Sequence, residues 1–254
     1  MLSKDRISHI TSLHHKKFRD EHKQFLAEGE KLVNELMASK FHVHSLYATN
    51  EWRQSAAAHL NKISVPVTEV SEKEMKKIST LATPPGVLAV VERPAEKLTG
   101  APWEDQLVLA LDNIQDPGNM GTIIRIADWF GIRHIICSEN TVGCYNPKVV
   151  QSSMGSIFRV EINTCDLKNI LEGIKKNTPV YAALVNGKNV YTEKLKNKGV
   201  LLLGNESKGI SEALLPYTTH HIRIPSWPEE STSAESLNVA AAAAILCSEF
   251  RRIR

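Results

Sequence analysis

Three polar loops in this chain each follow an apolar run and lead into a helical pattern. Between them they carry the residues best suited to chemistry. In LDNIQDPGNMGTIIRIADWF (111–130), the loop 113–121 holds Asn113 and Asn119, whose side-chain amides both donate and accept. Gly118 and Gly121 allow tight turning, and Pro117 stiffens the loop. The loop is neither GxGxxG nor GxxxxGK[ST], so a phosphate cradle for a mononucleotide is not supported. Arg125 follows as the cation among apolar residues. Its guanidinium stays protonated and suits a phosphate or a developing oxyanion. The ordinary alternative is a surface pair with Asp128 at i,i+3. In LLLGNESKGIS (201–211), Glu206 sits where a strand empties into a loop, and its ordinary role would be to favour the next helix N-terminus. In RIPSWPEESTSAESLNVAAAAAILCSEF (223–250), Ser236 reads as the N-cap of the last helix, with Asn238 in its first turn. Ala240 to Ala244 make a smooth helix side, read as close packing against a sheet.

The elements that must position these loops alternate between strand and helix patterns. Residues 3–17 read as a helix capped by Ser3. FLAEG (25–29), VHSLYAT (43–49), VPVTEV and GVLAVVE (86–92) read as strands. EKLVNELMAS (30–39), EWRQSAAAHLNK and SEKEMKKIST read as helices between them, the last with a Ser71/Glu74 capping box. This is a small α/β domain spanning 1–98. RPAEKLTGAPWEDQ (93–106) has no periodicity and contains the linker, 99–106. The second domain, 107–254, begins with the buried-type strand LVLALD, followed by a helix with Ile123, Ile126, Ala127 and Phe130 on one face. HIICS, IFRVEI, VYAALV, VLLLG and HIRI are further strands. NPKVVQSSMG, LKNILEGIKKN capped by Asp166, ISEALLPY and residues 236–253 are helical. The pattern is that of a mostly parallel α/β sheet covered on both faces. In such sheets, ligands bind at the carboxyl ends of the strands, where the three loops lie.

The chain has 254 residues, 42% of them hydrophobic, enough for a packed core in one large domain or two ordinary ones. No apolar run is long enough to span a bilayer, and MLSKDRISHITSLHHKK lacks a signal-peptide core, so the expected compartment is the cytoplasm. The four Cys show no zinc spacing and read as buried free thiols. The ten His form no ligand motif, so no metal is expected. Net charge is +3, and the excess lies in residues 1–98, with 15 Lys+Arg against 12 Asp+Glu. There Lys16, Lys17 and Arg19 sit in a His-rich cluster that could face phosphates, although interleaved acids also fit a solvated helix face.

Taken together and in order, Asn113 through Arg125, LLLGNESKGIS, and IP followed by SLNVAAAAAIL resemble the motifs of the SpoU (TrmH-type) family of RNA ribose 2′-O-methyltransferases in the SPOUT superfamily. FLAEGEKLVNEL and LATPPGVLAVVERP are similar to that family's RNA-binding domain. Here PSWPEESTSAE joins IP to SLN by a longer loop without glycine. The resemblance implies a C-terminal α/β domain with a trefoil knot, a homodimer whose active sites borrow from each other, and S-adenosylmethionine as cofactor. It implies that the cofactor lies among Leu203, Gly204, Asn205, Ile224, Pro225, Leu237 and Asn238. The catalytic set it implies is Arg125, Asn113, Glu206, Ser236 and Asn238. Lys16, Lys17, Arg19 and Asn119 are expected to be the RNA contacts, with ribosomal and transfer RNA both open as targets. Arg125 is read as a phosphate and alkoxide clamp rather than a base, and Glu206 as a conceivable proton acceptor. The alternative reading is a non-catalytic RNA-binding protein that retains the fold.

Overall fold

Short runs rich in Val, Leu and Ala, bounded by polar turns, form two sheets in the computed structural model, which describes residues 2–55, 65–95, 98–228 and 236–252. The chain divides into two units, residues 1–95 with 143–158, and residues 96–142 with 159–254.

The first unit holds β1 (Gln24–Glu28), β2 (Val43–Ala48), β3 (Val67–Glu69) and β4 (Val87–Glu92) in the order β1-β4-β2-β3. β4 runs antiparallel to β1 and β2, while β3 pairs parallel to β2. Helices α1 (Lys4–Ser12), α2 (Lys16–His22), α3 (Glu30–Met37), α4 (Asn50–Ser55) and α5 (Glu72–Ile78) complete it. Ser3 caps α1 as its sequence suggests. The Ser71/Glu74 capping box forms, and the backbone N–H groups of Ser71 and Leu2 hold the Glu74 carboxyl down to about 2. The part of EWRQSAAAHLNK beyond residue 55 lies outside the described residues.

Residues 3–17 do not form one helix. α1 stops at Leu13, which is fully buried, and α2 starts again after His15 in an extended conformation. Arg19 explains the break. Its Nη1 donates to Leu13 O at 2.9 Å and His14 O at 2.8 Å, taking carbonyls that a continuous helix would have paired internally. Arg19 is only 5% exposed. Its assignment as an RNA contact is therefore corrected: the guanidinium is committed to the α1–α2 junction.

Residues 143–158 lie between stretches of the second unit in sequence but belong to this first unit. The Tyr145 ring lies 4.6 Å from Phe25 at a tilt, the Arg93 guanidinium sits over the Tyr145 ring at 5.1 Å, and Phe158 meets Phe41 edge-on at 5.3 Å. Within this segment, Asn146 caps the short helix α7 (Pro147–Ser152). The expected strand IFRVEI is shortened because Ser156–Phe158 forms a 3₁₀ turn. At Gly155, φ is +94° and a Cβ would lie 2.6 Å from Glu35 Cγ, which accounts for glycine there.

In the second unit, β5 (Leu107–Leu111), β6 (His134–Cys137), β7 (Glu161–Thr164), β8 (Val180–Asn189), β9 (Gly199–Leu203) and β10 (His220–Arg223) order as β10-β8-β9-β5-β6-β7. Every pairing is parallel. Leu107–Leu111 and Gly199–Leu203 are buried throughout, as central parallel strands require. The helices are α6 (Pro117–Trp129), α8 (Leu167–Glu172), capped by Asp166, and α9 (Val239–Arg251). ISEALLPY is a 3₁₀ helix, Glu212–Tyr217, with Pro216 inside it. α9 packs along α6, and Arg251 Nε donates to Phe130 O at 2.9 Å. The buried Ala240 and Ala243 thus belong to a helix pair, a closer account than sheet packing alone. No described helix is long and apolar enough to cross a membrane.

Arg19→Ala removes two charge-assisted hydrogen bonds from a buried junction and is expected to cost roughly 2–3 kcal/mol of stability. Urea denaturation of the full chain measures it, and a loss near zero would return Arg19 to the surface.

Candidate active site

The order in which strands are added to the parallel sheet switches sides between β5 and β9: β6 and β7 extend to one side, and β9, β8 and β10 to the other. The carboxyl ends of β5 and β9 therefore lie side by side, and the loops leaving them open onto one crevice. The first loop is held by its own backbone chemistry. Asn113 adopts φ +63°, its N–H donates to Ser138 Oγ at 2.8 Å, and its Oδ1 accepts from Gln115 at 3.1 Å. Asp116 caps α6 by accepting from Asn119 N at 2.7 Å. A Cβ at Gly118 would lie 2.9 Å from that Asp116 oxygen, so glycine keeps the cap open.

The second loop is tied to the first. Asn205 Nδ2 donates to Asn113 O at 2.8 Å, and Asn205 Oδ1 accepts from Ser207 N and Lys208 N. Its backbone bridges to Gly209 in both directions at 2.9 Å. Buried Asp112 accepts from Ser211 N at 2.8 Å, a second tie that the sequence motifs do not single out. At Gly204 an added Cβ would lie 2.3 Å from the Gly209–Ile210 backbone. Glycine is thus the residue that lets the loop fold back over the strand end.

Asn119 then joins all three loops. Its Nδ2 donates to Glu206 Oε1 at 2.8 Å, while its Oδ1 accepts from Asn238 Nδ2 at 3.0 Å. Asn238 uses its other face as the α9 N-cap, accepting from Ala240 N and Ala241 N at 2.9 and 3.2 Å. Ser236, expected to be that cap, is exposed two residues earlier. The amide assigned to the RNA, Asn119, is at the centre of this network, and Asn113 supports the loop from beneath. Both facts follow from tertiary hydrogen bonds that spacing alone does not display.

Arg125 is exposed on α6 and has no partner among the described residues. The pair with Asp128 does not form, because Arg159 occupies that carboxylate at 2.8 Å. Six residues beyond Asn119, Arg125 is turned roughly 120° from it around the helix axis. It shares an outward stripe with Thr122 and Trp129, the latter 84% exposed. Lys16 is paired with Asp20, and Lys17 lies over the Phe18 ring at 5.7 Å.

The residues assigned to S-adenosylmethionine fit a nucleoside. Leu203 is buried and its carbonyl accepts from Asp112 N, so it forms a floor. The backbone groups of Ile224 and Leu237 have no partner among the described residues, and the Leu237 side chain is half exposed. Free backbone polar groups beside apolar side chains suit the edges and face of an adenine. Asn205 differs: its amide is spent on the loop. Trp227 is almost fully exposed, and the following Glu229 and Glu230 lie outside the described residues.

If the bridge holds the three loops in register, Asn119→Ala should lower methyl transfer roughly 100-fold, since a displacement of about 1 Å costs that much. Steady-state turnover with the folded variant checks it, and unchanged turnover would make the bridge incidental.

Comparison with known proteins identifies the family. The family model described as "SpoU rRNA Methylase family" matches residues 106–248, and an "MRM3-like substrate binding domain" matches residues 4–89. The 23S rRNA (guanosine(2553)-2′-O)-methyltransferase RlmP of Bacillus subtilis is 34% identical over 94% of this chain and 93% of its own. An AdoMet-bound rRNA methyltransferase from Sinorhizobium meliloti superposes with a TM-score of 0.82 at 31% identity, covering 99% of this chain and 95% of that one. The AviRb SpoU methyltransferase of Streptomyces viridochromogenes, at 24% identity and TM-score 0.84, shares the fold over 98% of this chain and 97% of its own. With its three loops joined through one amide at the switch point of a parallel sheet, and with the family model matching over more than half its length, the chain belongs to the SpoU rRNA methylase family.

Proposed function

We propose that this protein transfers a methyl group from S-adenosylmethionine to the 2′-oxygen of a ribose in ribosomal RNA. The observation that carries the reading is the chain Glu206–Asn119–Asn238, which gathers one residue from each motif loop at the crevice. Ribosomal RNA is favoured over transfer RNA because two relatives, each at least 33% identical, carry names that give 23S rRNA as their target.

S-adenosylmethionine supplies a methyl group on a sulfonium, already activated for transfer. The chain must align the ribose and deal with a weakly acidic hydroxyl proton. Asn119 holds Glu206 by Oε1, which leaves Oε2 to accept from the ribose hydroxyl. The backbone around Gly204, Ile224, Pro225 and Leu237 holds the nucleoside of the donor. Exposed Ser236 and the Asn238 amide face the same crevice as positioning groups. Arg125 grips the phosphate beside the target ribose and stabilises the developing alkoxide.

Arg125 points away from its own Asn119, so the reading requires a second copy of the chain. In a homodimer, Arg125 of one protomer completes the site of the other, and the outward stripe with exposed Trp129 is covered. The reading also includes a trefoil knot formed by the C-terminal segment, RNA binding by residues 1–98, catalysis by 107–254, and a cytoplasmic location.

Mapping ribose methylation across total RNA with and without the gene tests the function: one 2′-O-methyl site should disappear, and an unchanged map would sink the assignment. Arg125→Lys should lose most turnover, roughly 100-fold, while binding S-adenosylmethionine normally, because a point charge cannot replace the planar fork. Near-normal turnover would remove Arg125 from the mechanism, and sedimentation as a monomer would remove the shared site.

A further inference from the structure

Four rings in the first unit are not accounted for by its core. Phe18 and His22 lie nearly parallel, 14° apart with centroids at 6.3 Å. His22 meets His9 at 4.8 Å, and His9 meets His44 at 6.5 Å. The series crosses from α2 through α1 to β2. None belongs to the hydrophobic cluster built from Ile10, Leu13, Leu26 and Leu88. His22 and His44 are exposed, whereas Phe18 and His9 are half-buried. His9 is held in place, its ring nitrogen Nε2 at 2.9 Å from Gln24 Oε1.

The rings line two adjoining furrows that share Asp5 and His9. One, of about 350 Å³, runs past Ser8, Ser12, Phe18 and His22. The other, of about 450 Å³, runs past Arg6, His44, Ser45 and Thr68. Each combines a ring face, small hydroxyls and the Asp5 carboxylate. Two cations flank them: Arg6, whose guanidinium has no partner among the described residues, and Lys17 above Phe18. Lys16 is not available, since it is spent with Arg93 on Asp20.

We propose that these furrows bind an unpaired RNA segment, one base stacked in each, with His9 between them. Exposed ring faces attract the face of a base, which a duplex keeps inside its own stack. Asp5 and the serine and threonine hydroxyls accept from base amino groups or ribose hydroxyls, and Arg6 and Lys17 meet the phosphates. The proposal rests on the reading that this unit holds the RNA substrate, and it names which RNA form is held and where.

The test uses the full chain, a fluorescent 12-nucleotide oligouridylate and a 12-base-pair RNA duplex, with binding followed by anisotropy at fixed salt. His22 and His44 are exposed, so His22→Ala and His44→Ala leave the core intact. Each should weaken oligouridylate binding roughly tenfold and leave duplex binding unchanged, and His22→Phe should restore it. In methyl transfer to ribosomal RNA, the alanine variants should raise KM without changing kcat. Wild-type affinity in both alanine variants, or equal losses for oligouridylate and duplex, would overturn the furrow. If the wild-type chain holds S-adenosylmethionine yet transfers no methyl group, the proposed function fails, while the anisotropy comparison still decides the furrow.

Discussion

A side-chain amide has one donor end and one acceptor end, and at Asn119 both are spoken for. The NH₂ group must face the Glu206 carboxylate, which accepts only, and the oxygen must face the Asn238 NH₂. That single orientation orders the rest. It places a carboxylate over the crevice and presents Asn238 to the first turn of α9. It also sets α6 and α9 starting side by side, an arrangement that Arg251 closes at their far ends. The Asn119 backbone is fixed by the Asp116 cap, which accepts from its N–H, and the side-chain amide is oriented by its two partners. The network is half exposed, and each bond is individually modest in water. Its value lies in geometry more than in stability.

The sheet makes that geometry available. β5 and β9 are fully buried neighbours, and their register runs from Leu107 opposite Gly199 to Leu111 opposite Leu203. They therefore end level, and two polar loops emerge at the same height. Asp112 and Asn205 then lash one loop to the other. Tight folding of the second loop demands a glycine at 204, where any side chain would overlap the Gly209 backbone. Core packing thus supplies the platform, and a few buried or half-buried polar side chains convert it into a site.

The strands and the Ser3, Ser71 and Asp166 caps are legible because each is a local pattern: a run of apolar residues, or a cap three residues from its partner. What was not readable depended on distant partners. Ser236 and Asn238 are equally good caps by local chemistry, and the bond to Asn119 selects Asn238. Asn113 and Asn119 look alike in the sequence, yet one supports a loop from below and the other spans three loops. Arg19 sits in a charged stretch that reads as surface, but the break between α1 and α2 gives it two carbonyls and buries it. Asp128 had a nearer candidate in Arg125 and took Arg159, thirty-one residues away. Residues 143–158 carry ordinary helix and strand signals, and nothing local says that Tyr145 and Phe158 will pack beside Phe25 and Phe41.

Arg125 raises the sharpest structural constraint on the proposed reaction. A helix advances about 100° per residue, so two side chains six positions apart face well away from each other. No rotamer of a residue on α6 removes that separation, and the buried Ile123, Ile124 and Ala127 prevent the helix from rolling. The Asn119 and Arg125 side chains of one α6 therefore set out in different directions. Either Arg125 acts outside the crevice, or the crevice is completed from another chain. An Arg125 guanidinium with no partner among the described residues, beside an 84%-exposed Trp129, fits the second case better, since a second chain would cover the indole. On the proposed reading, the second copy of the chain is part of the site rather than an accessory to it.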